Sequence, residues 1–230
     1  MVKVISFSLW GENPTYNIGA IKNAQMSLNF YPDFECWFYI HKDSVPQKTI
    51  EELNKMSHTK IIYKYGNLRN SKPATWRFES IDNDNVEINL SRDTDTRFLL
   101  REKLAVDEWI KSNKLFHIMR DHPHHSFKIL AGMFGTRKIK NILSWKELIK
   151  NYKSNNCNYK QYDQDFLAEI IYPTIKDNYM IHSSFFKFED EKIKPFPIPY
   201  CKDYYYVGEY IYYNETRSQK HIKILKKKMR

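Results

Sequence analysis

The amino-acid sequence predicts an α/β fold, built as a single domain with a mostly parallel sheet flanked by helices. Apolar, β-rich segments alternate with segments in which apolar residues recur at helical spacing. This alternation is typical of parallel strands joined by helical crossovers. The 230 residues suit one domain, and a hydrophobic content of 42% is enough for a sizeable core. Neither internal repeats nor a low-complexity linker divides the chain.

The first strand and the first helix are each followed by residues that end them. The apolar segment Val2–Trp10 predicts a strand, and Gly11 and Pro14 come directly after it. Residues 17–30 have apolar side chains near helical spacing and precede Pro32, which cannot continue a helix.

The same alternation continues through the rest of the chain. Pro46 suits the first position of a helix, and charges of opposite sign support a helix over 99–111. We predict further strands at Phe34–His41, Lys60–Tyr65, Val86–Leu90, Leu115–Met119 and Ile129–Phe134. We predict further helices at Pro46–Met56, Pro73–Ile81, Leu99–Lys111, Trp145–Tyr152 and Asp163–Ile171. The segment Tyr204–Tyr213 fits either a strand or a loop.

The glycine content restricts how this protein can bind phosphate. The chain has only 6 glycines, and they form neither G-x-G nor G-K-[ST]. Both the dinucleotide-binding fingerprint and the P-loop need glycines where the backbone approaches phosphate. Any nucleotide phosphates must therefore be neutralised by other groups.

The net charge of +10 is concentrated at the C-terminus. Residues 217–230 carry seven basic and no acidic side chains, whereas residues 1–216 are nearly balanced, with 30 basic and 27 acidic. We therefore divide the chain into a domain, 1–216, and a basic tail, 217–230. A balanced domain does not favour nucleic acid as the partner. The tail is either a solvated charge run or a weak peripheral contact with an anionic membrane, made through Ile222, Ile224 and Leu225.

The remaining composition favours a cytoplasmic protein. Cys36, Cys157 and Cys201 are widely spaced and form no C-x-x-C pair, so we expect free thiols. No apolar run approaches the ~18 residues of a membrane span, and the N-terminus lacks the cleavage site of a signal peptide.

Paired aspartates mark the best candidate site. The chain has three D-x-D pairs, and only Asp93/Asp95 follows the carboxyl end of a predicted strand. Ligands of open parallel sheets bind at this end, and two carboxylates there suit a divalent cation that bridges a diphosphate. Arg92 and Arg97 flank the pair. From the spacing alone, a solvated turn is an equally good interpretation.

An ordered set of short motifs occurs between Val2 and Phe186: T-W-R-F-E-S-I-D-N-D-N-V-E-I-N-L-S-R-D-T-D, I-L-A-G-M-F-G, Y-D-Q-D-F-L and I-H. This set resembles the GT-A glycosyltransferases, most of all family 8, which includes retaining galactosyltransferases of bacterial lipooligosaccharide synthesis. The stretches I-S-F-S-L-W-G and H-I-M-R-D-H-P are similar to uncharacterised proteins of bacteria and large DNA viruses. The resemblance implies a GT-A, Rossmann-like fold with a mostly parallel mixed sheet.

The resemblance also implies roles for individual residues. Asp93, Asp95 and His182 match the ligands of a Mn²⁺ or Mg²⁺ ion, and Asp163 and Gln164 match the pair that holds the sugar at the catalytic centre. The other residues that we expect at the nucleotide-sugar are Phe7, Ser8, Leu9, Lys22, Arg77, Arg92 and Gly132.

A polar cluster, residues 120–125, follows another predicted strand. Its three histidines do not have the spacing of a closed zinc site. We predict that Asp121 and His122 bind sugar hydroxyls, with Asp121 among the catalytic groups. For His124 and His125, solvated loop residues are an equal alternative.

These observations predict a metal-dependent glycosyltransferase that moves a sugar from a nucleotide-diphosphate sugar to a hydroxyl of a glycan or glycoconjugate. The resemblance implies UDP as the nucleotide and retention of anomeric configuration. Three alternatives stay open: a nucleotidyltransferase, a basic nucleic-acid-binding protein, and an inactive relative that acts as a scaffold.

Overall fold

The computed structural model describes residues 1–66, 68–138, 144–154, 161–175, 178–188 and 191–229. Within these ranges eight strands form one sheet: β1 (Val2–Leu9), β2 (Phe34–His41), β3 (Thr59–Lys64), β4 (Val86–Arg92), β5 (Phe116–Arg120), β6 (Met133–Arg137), β7 (Tyr179–Ser183) and β8 (Ile193–Lys194). Their order is β3-β2-β1-β4-β6-β5-β7-β8. Strand β6 is antiparallel to β4 and β5, and the other neighbours are parallel. The predicted α/β fold with a mostly parallel sheet is confirmed.

The helices are α1 (Pro14–Phe30), α2 (Gln47–Asn54), α3 (Leu100–Lys111), α4 (Trp145–Asn151), α5 (Tyr162–Phe166) and α6 (Gln219–Lys228). Helix α1 begins three residues earlier than predicted, because the Asn13 side chain accepts a hydrogen bond from the Thr15 amide and caps it. The predicted helix around Pro73 is a run of 3₁₀ turns over Arg69–Asp82.

Two predicted segments differ from the structure. The strand predicted at Ile129–Phe134 begins only at Met133, because Ile129 and Ala131 are buried from a loop and so look like strand residues in the sequence. The segment 204–213 forms no continuous strand, and its Ile211 makes an isolated bridge to Arg217.

Apolar side chains fill both faces of the sheet. One cluster contains Phe7 of β1 and Trp109 of α3, and Phe7 stacks on Phe38 at 4.8 Å between ring centroids. The second cluster joins Phe134 of β6 to Phe166 of α5. Each buried ring stabilises the fold by about 1.5–3 kcal/mol, so both layers hold the carboxyl edge of the sheet rigidly.

The basic C-terminal segment folds back onto the domain. Ser218 caps α6, while Ile222 and Leu225 are buried. The Arg217 guanidinium donates to Glu209, with Nε 2.8 Å from Oε1. The interpretation of the tail as a membrane anchor is therefore wrong for Ile222 and Leu225, because these side chains pack against the protein. No helix in the described ranges has the length and apolar character needed to cross a bilayer.

Two of the three cysteines can be placed. Cys36 is buried and Cys201 is exposed, and both are free thiols, as predicted. Cys157 lies outside the described residues.

Candidate active site

A cavity of about 600 Å³ opens at the carboxyl ends of β1 and β4. The chain runs from β1 to β2 and β3 on one side and then returns to place β4 on the other side of β1. This reversal of strand order creates a crevice between β1 and β4, the usual ligand site of such sheets. Ser8 and Leu9 line it from β1, and Asp93 and Asp95 line it from the loop after β4.

The loop of Asp93, Thr94 and Asp95 rests on helix α1. The Asn23 amide donates to the Thr94 carbonyl at 3.2 Å. At Gly19, a Cβ atom would lie 2.0 Å from the Thr94 carbonyl oxygen, so only glycine permits this approach. The Asp95 carbonyl accepts a hydrogen bond from the Ile211 amide at 2.8 Å. Helix α1 and the C-terminal segment thus fix the two carboxylates.

Arg77 lies between two carboxylates at the floor of the cavity. Its guanidinium donates to Asp93 and, at 2.7 Å, to Asp163 Oδ2 on α5. It also donates to the Arg92 carbonyl at 3.0 Å, while the Ser8 hydroxyl accepts from the Arg77 amide at the same distance. The side chain is only 4% exposed. Arg77 therefore ties β1, the Asp93 loop and α5 together.

The electrostatics of the cavity leave excess negative charge. Burial and the neighbouring Asp93 raise the pKa of Asp95 to about 7. Burial also raises the pKa of Asp163, although Arg77 opposes that shift. The charges of Arg77 and Arg97 only partly oppose the shift at Asp95, so a cation between Asp93 and Asp95 would relieve their repulsion.

Gly132 brings the backbone before β6 against Asp93. A Cβ atom at this position would lie 1.8 Å from Asp93 Oδ2. The absent side chain leaves room for the carboxylate at the centre of the cavity, consistent with the predicted role of Gly132 beside the ligand.

The cavity contains most of the predicted donor residues. The predicted residues that line it are Ser8, Leu9, Arg77, Asp93, Asp95, Gly132, Asp163 and Gln164. They come from β1, the 3₁₀ segment, the loop after β4, the loop before β6 and α5, and the fold brings them together.

Three predicted donor residues do not line the cavity. The Phe7 side chain is on β1 and is fully buried in the core. The Arg92 side chain is 2% exposed and pairs with Glu102 at 2.7 Å, so it stabilises the packing of β4 on α3. Lys22 is exposed on α1. The structure corrects the placement of all three.

Asp121 is a structural hub rather than a cavity residue. It is completely buried, and its carboxylate accepts hydrogen bonds from Arg101 at 2.9 Å, Ser184 at 2.6 Å, Tyr200 at 2.7 Å and the Val207 amide at 2.9 Å. These bonds occupy its oxygens and attach the C-terminal segment. The predicted catalytic role is therefore corrected to an anchoring role.

His122 is likewise engaged away from the cavity. Its Nδ1 accepts from the His124 amide at 3.0 Å, and its Nε2 donates to the His221 carbonyl of α6 at 3.1 Å. The ring stacks on Tyr206 at 4.3 Å. Both of its nitrogens are used in contacts within the protein, and among the described residues His122 does not line the cavity, so its predicted placement at the sugar is corrected.

His182 does not reach Asp93 and Asp95. It lies on β7, which β6 and β5 separate from β4. Its two ring nitrogens bond to His117 at 2.8 Å and to Glu108 at 3.0 Å. Across the described ranges, His, Cys, Asp and Glu side chains form no group of three that could hold a metal ion. Of the three predicted metal ligands, only Asp93 and Asp95 line the cavity, and the placement of His182 beside them is corrected.

Several further residues line the cavity although the sequence analysis assigned them no role at the site. They are Trp10, Tyr16, Ala74, Thr94, His125, Leu130, Ala131, Met133 and Gly208. Trp10 follows β1 directly, so its position at a strand end could have indicated it. Met133 and Gly208 meet only through the fold, since 75 residues of chain separate them.

Comparison with known proteins supports this architecture. No protein-family model matches the chain, and no curated protein matches its sequence. Among solved structures, a glycosyltransferase involved in glycosylation of the major capsid of PBCV-1 aligns with a TM-score of 0.52 and 16% identity, over 80% of this chain and 82% of that one. The galactosyltransferase LgtC, in complex with donor and acceptor sugar analogs, aligns with a TM-score of 0.47 and 14% identity, over 78% of this chain and 73% of that one.

This chain has a GT-A-type fold. The likeness to the PBCV-1 enzyme confirms the resemblance read from the sequence at the level of the fold. In a fold of this type, the cavity beyond β1 and β4 is where chemistry is expected.

Proposed function

We propose that this protein is a glycosyltransferase that moves a sugar from a nucleotide-diphosphate sugar, with UDP as the nucleotide, to a hydroxyl of a glycan or glycoconjugate. The observation that carries the proposal is the meeting of Asp93, Asp95, Arg77 and Asp163 in one cavity at the strand-order reversal. The GT-A-type fold supports the same reaction class.

A divalent cation fits the Asp93–Asp95 pair. The two carboxylates are two positions apart on a loop fixed by α1, and burial together with the neighbouring Asp93 charge raises the pKa of Asp95 to about 7. Asp93 and Asp95 would hold Mn²⁺ or Mg²⁺, which when bound neutralises charge that develops on a departing diphosphate. This arrangement needs no glycine-rich phosphate loop, in agreement with the low glycine content.

Two chemically different sets of residues line the cavity together with this pair. Trp10 and Tyr16 carry rings that suit a nucleobase and ribose. Gly132, Asp163 and Gln164 suit a polar sugar. The lining therefore offers groups for the base, the diphosphate and the sugar of a nucleotide-sugar.

Asp163 and Gln164 would orient the sugar. Asp163 Oδ1 accepts from the Gln164 amide at 3.0 Å and Oδ2 accepts from Arg77, so the carboxylate is held in one rotamer. A fixed negative group beside the sugar stabilises an oxocarbenium-like transition state. Retention of configuration is the outcome that the family 8 resemblance implies, and we include it in the proposal.

The experiment is a thermal-shift screen of UDP-glucose, UDP-galactose and UDP-N-acetylglucosamine, each with and without Mn²⁺. We expect one UDP-sugar to raise the melting temperature only when Mn²⁺ is present. Binding at 100 times Kd contributes about 2.7 kcal/mol, which corresponds to a shift of about 5–10 °C for a chain of this size.

Asp95→Asn is the matching variant, and Asp84→Asn is its control. Asp84 belongs to another D-x-D pair, is 98% exposed and bonds only to Lys138 among the contacts of the described residues. We expect Asp95→Asn to abolish the Mn²⁺-dependent shift and Asp84→Asn to preserve it. A full shift in Asp95→Asn would contradict the proposed cation site.

A further inference from the structure

His125 is a cavity residue to which neither the sequence motifs nor the comparisons assign a role. It lies in the loop between β5 and β6 and lines the same cavity as Gly132 and Asp163. Among the described residues that line this cavity, His125 is the one histidine.

The hydrogen bonds of the ring fix its tautomer. Nδ1 of His125 accepts a hydrogen bond from the Asp121 amide at 3.0 Å. An imidazole whose Nδ1 accepts must carry its proton on Nε2. Burial is the main cause that lowers the pKa of His125 to about 3, and the neighbouring His122, His124 and His221 lower it further. The ring is therefore neutral near pH 7. Nε2 is therefore a neutral N–H donor.

The ring is also held in place. The His125 amide donates to the His122 carbonyl at 2.8 Å, and the ring meets Tyr206 edge-on at 5.7 Å. Asp121, which holds Nδ1 through its amide, is itself anchored by Arg101 at 2.9 Å. Within the described part of the chain, Nε2 makes no hydrogen bond of its own. The fold thus presents one preorganised, unused donor beside the cavity.

We propose that His125 donates a hydrogen bond from Nε2 to a hydroxyl oxygen of the sugar in the bound nucleotide-sugar, and so adds affinity for the sugar that free nucleotide does not receive. The inference rests on the proposed function. A neutral N–H suits a hydroxyl oxygen, whereas phosphate is better bound by cationic groups. Asp163 lines the same cavity and its carboxylate is a hydrogen-bond acceptor, so a donor and an acceptor together define the orientation of a sugar.

Two substitutions test the hydrogen-bonding roles of the two ring nitrogens of His125 separately. In His125→Asn, the side-chain oxygen can take the place of Nδ1 and accept from the Asp121 amide, but the donor toward the cavity is lost. In His125→Gln, the longer side chain carries its amide N–H to about the position of Nε2 and restores that donor. Melting temperatures of both variants establish that they are folded.

The experiment measures Kd by isothermal titration calorimetry with Mn²⁺, for UDP and for the UDP-sugar that the wild-type protein binds most tightly. We expect His125→Asn to bind UDP as the wild type does and to bind the UDP-sugar about tenfold more weakly, the effect of one lost hydrogen bond. We expect His125→Gln to recover most of that loss.

Two results would overturn the inference while leaving the proposed function intact. One is an unchanged Kd for the UDP-sugar in His125→Asn. The other is equal weakening of UDP and UDP-sugar, which would show that His125 only supports the loop. A wild-type protein that binds neither UDP nor any UDP-sugar would instead refute the proposed function, and the inference with it.

Discussion

Replacement of Arg77 by leucine removes the positive charge that lies between Asp93 and Asp163. Leucine is close to the length of the aliphatic part of the arginine side chain, so the main change is electrostatic. The variant leaves the Asp163 carboxylate buried without its ion-pair partner, because its side chain is only 10% exposed. The Asp93 side chain is 43% exposed, and water screens much of its charge.

The expected loss in the free energy of unfolding follows from this difference in exposure between Asp163 and Asp93. Removal of one partner from a buried ion pair costs about 3–5 kcal/mol, whereas exposed pairs are worth about 0–1 kcal/mol. Asp163 therefore accounts for most of the loss, and we expect the free energy of unfolding to fall by about 3 kcal/mol. For a chain of this size, that corresponds to a fall in melting temperature of about 6–12 °C.

The pH dependence of the stability loss in Arg77→Leu shows whether the unpaired Asp163 carboxylate causes it. Burial already raises the pKa of Asp163, and Arg77 opposes that shift. Without Arg77, this pKa rises further above its value in the unfolded chain. A carboxyl whose pKa is higher in the folded state destabilises the protein as the pH rises between the two values. Urea unfolding should therefore show a smaller difference from the wild type at pH 5 than at pH 7.5.

The double variant Arg77→Leu with Asp163→Asn is the control. Because asparagine carries no charge, we expect it to recover much of the stability lost in Arg77→Leu at pH 7.5. An equal loss at both pH values, with no recovery in the double variant, would refute the conclusion that an unpaired Asp163 is responsible.

Three further predictions test the site and its supports. Gly132→Ala should weaken Mn²⁺-dependent binding of the UDP-sugar at least tenfold in calorimetry, since its Cβ would lie 1.8 Å from Asp93 Oδ2; unchanged affinity would contradict the close approach. Asp121→Asn should lower the free energy of unfolding by about 3 kcal/mol and leave the affinity of the folded protein for UDP unchanged; a normal stability would contradict its role as a hub. Leu225→Ala should destabilise the protein by about 2–3 kcal/mol in urea unfolding, whereas the exposed Lys223→Ala should have almost no effect; equal effects would contradict the docking of α6.

The sequence predicted the strands well because their signals are local. Phe34–His41 has the predicted bounds of β2, and the strand before Asp93 was placed to within two residues. Buried parallel strands are continuous apolar runs, and their ends are marked by polar residues. That rule placed Asp93 and Asp95 at the carboxyl edge of the sheet, although it left a solvated turn as an equal alternative to a ligand site.

The same rule gave the wrong result after β5. Asp121 and His122 also follow a strand, yet both are buried and hydrogen-bonded within the protein. Tyr200, a partner of Asp121, and His221, a partner of His122, are 79 and 99 positions away in the chain, so no local pattern could show that they satisfy these polar groups. A polar residue after a strand predicts a ligand site only when the later chain leaves it uncovered.

The C-terminal helix was missed for a related reason. Its lysines dominate the composition, so the apolar stripe of Ile222 and Leu225 looked like a membrane contact. Whether an amphipathic stripe faces a bilayer or the protein depends on the surface available nearby. Here the domain covers the stripe, since Ile222 and Leu225 are buried, while Tyr206 and His122 hydrogen-bond to the adjacent His221.

The hydrogen bond from the Ile211 amide to the Asp95 carbonyl has a consequence for biosynthesis. A chain grows from its N-terminus, and the loop that carries Asp95 emerges from the ribosome more than a hundred residues before Ile211. Gly208, which lines the cavity, is also synthesised long after this loop. The sheet around β1 and β4 can therefore form early, while the finished site needs residues 208–211, so nascent or truncated chains that stop before residue 208 should fold in part without completing the cavity.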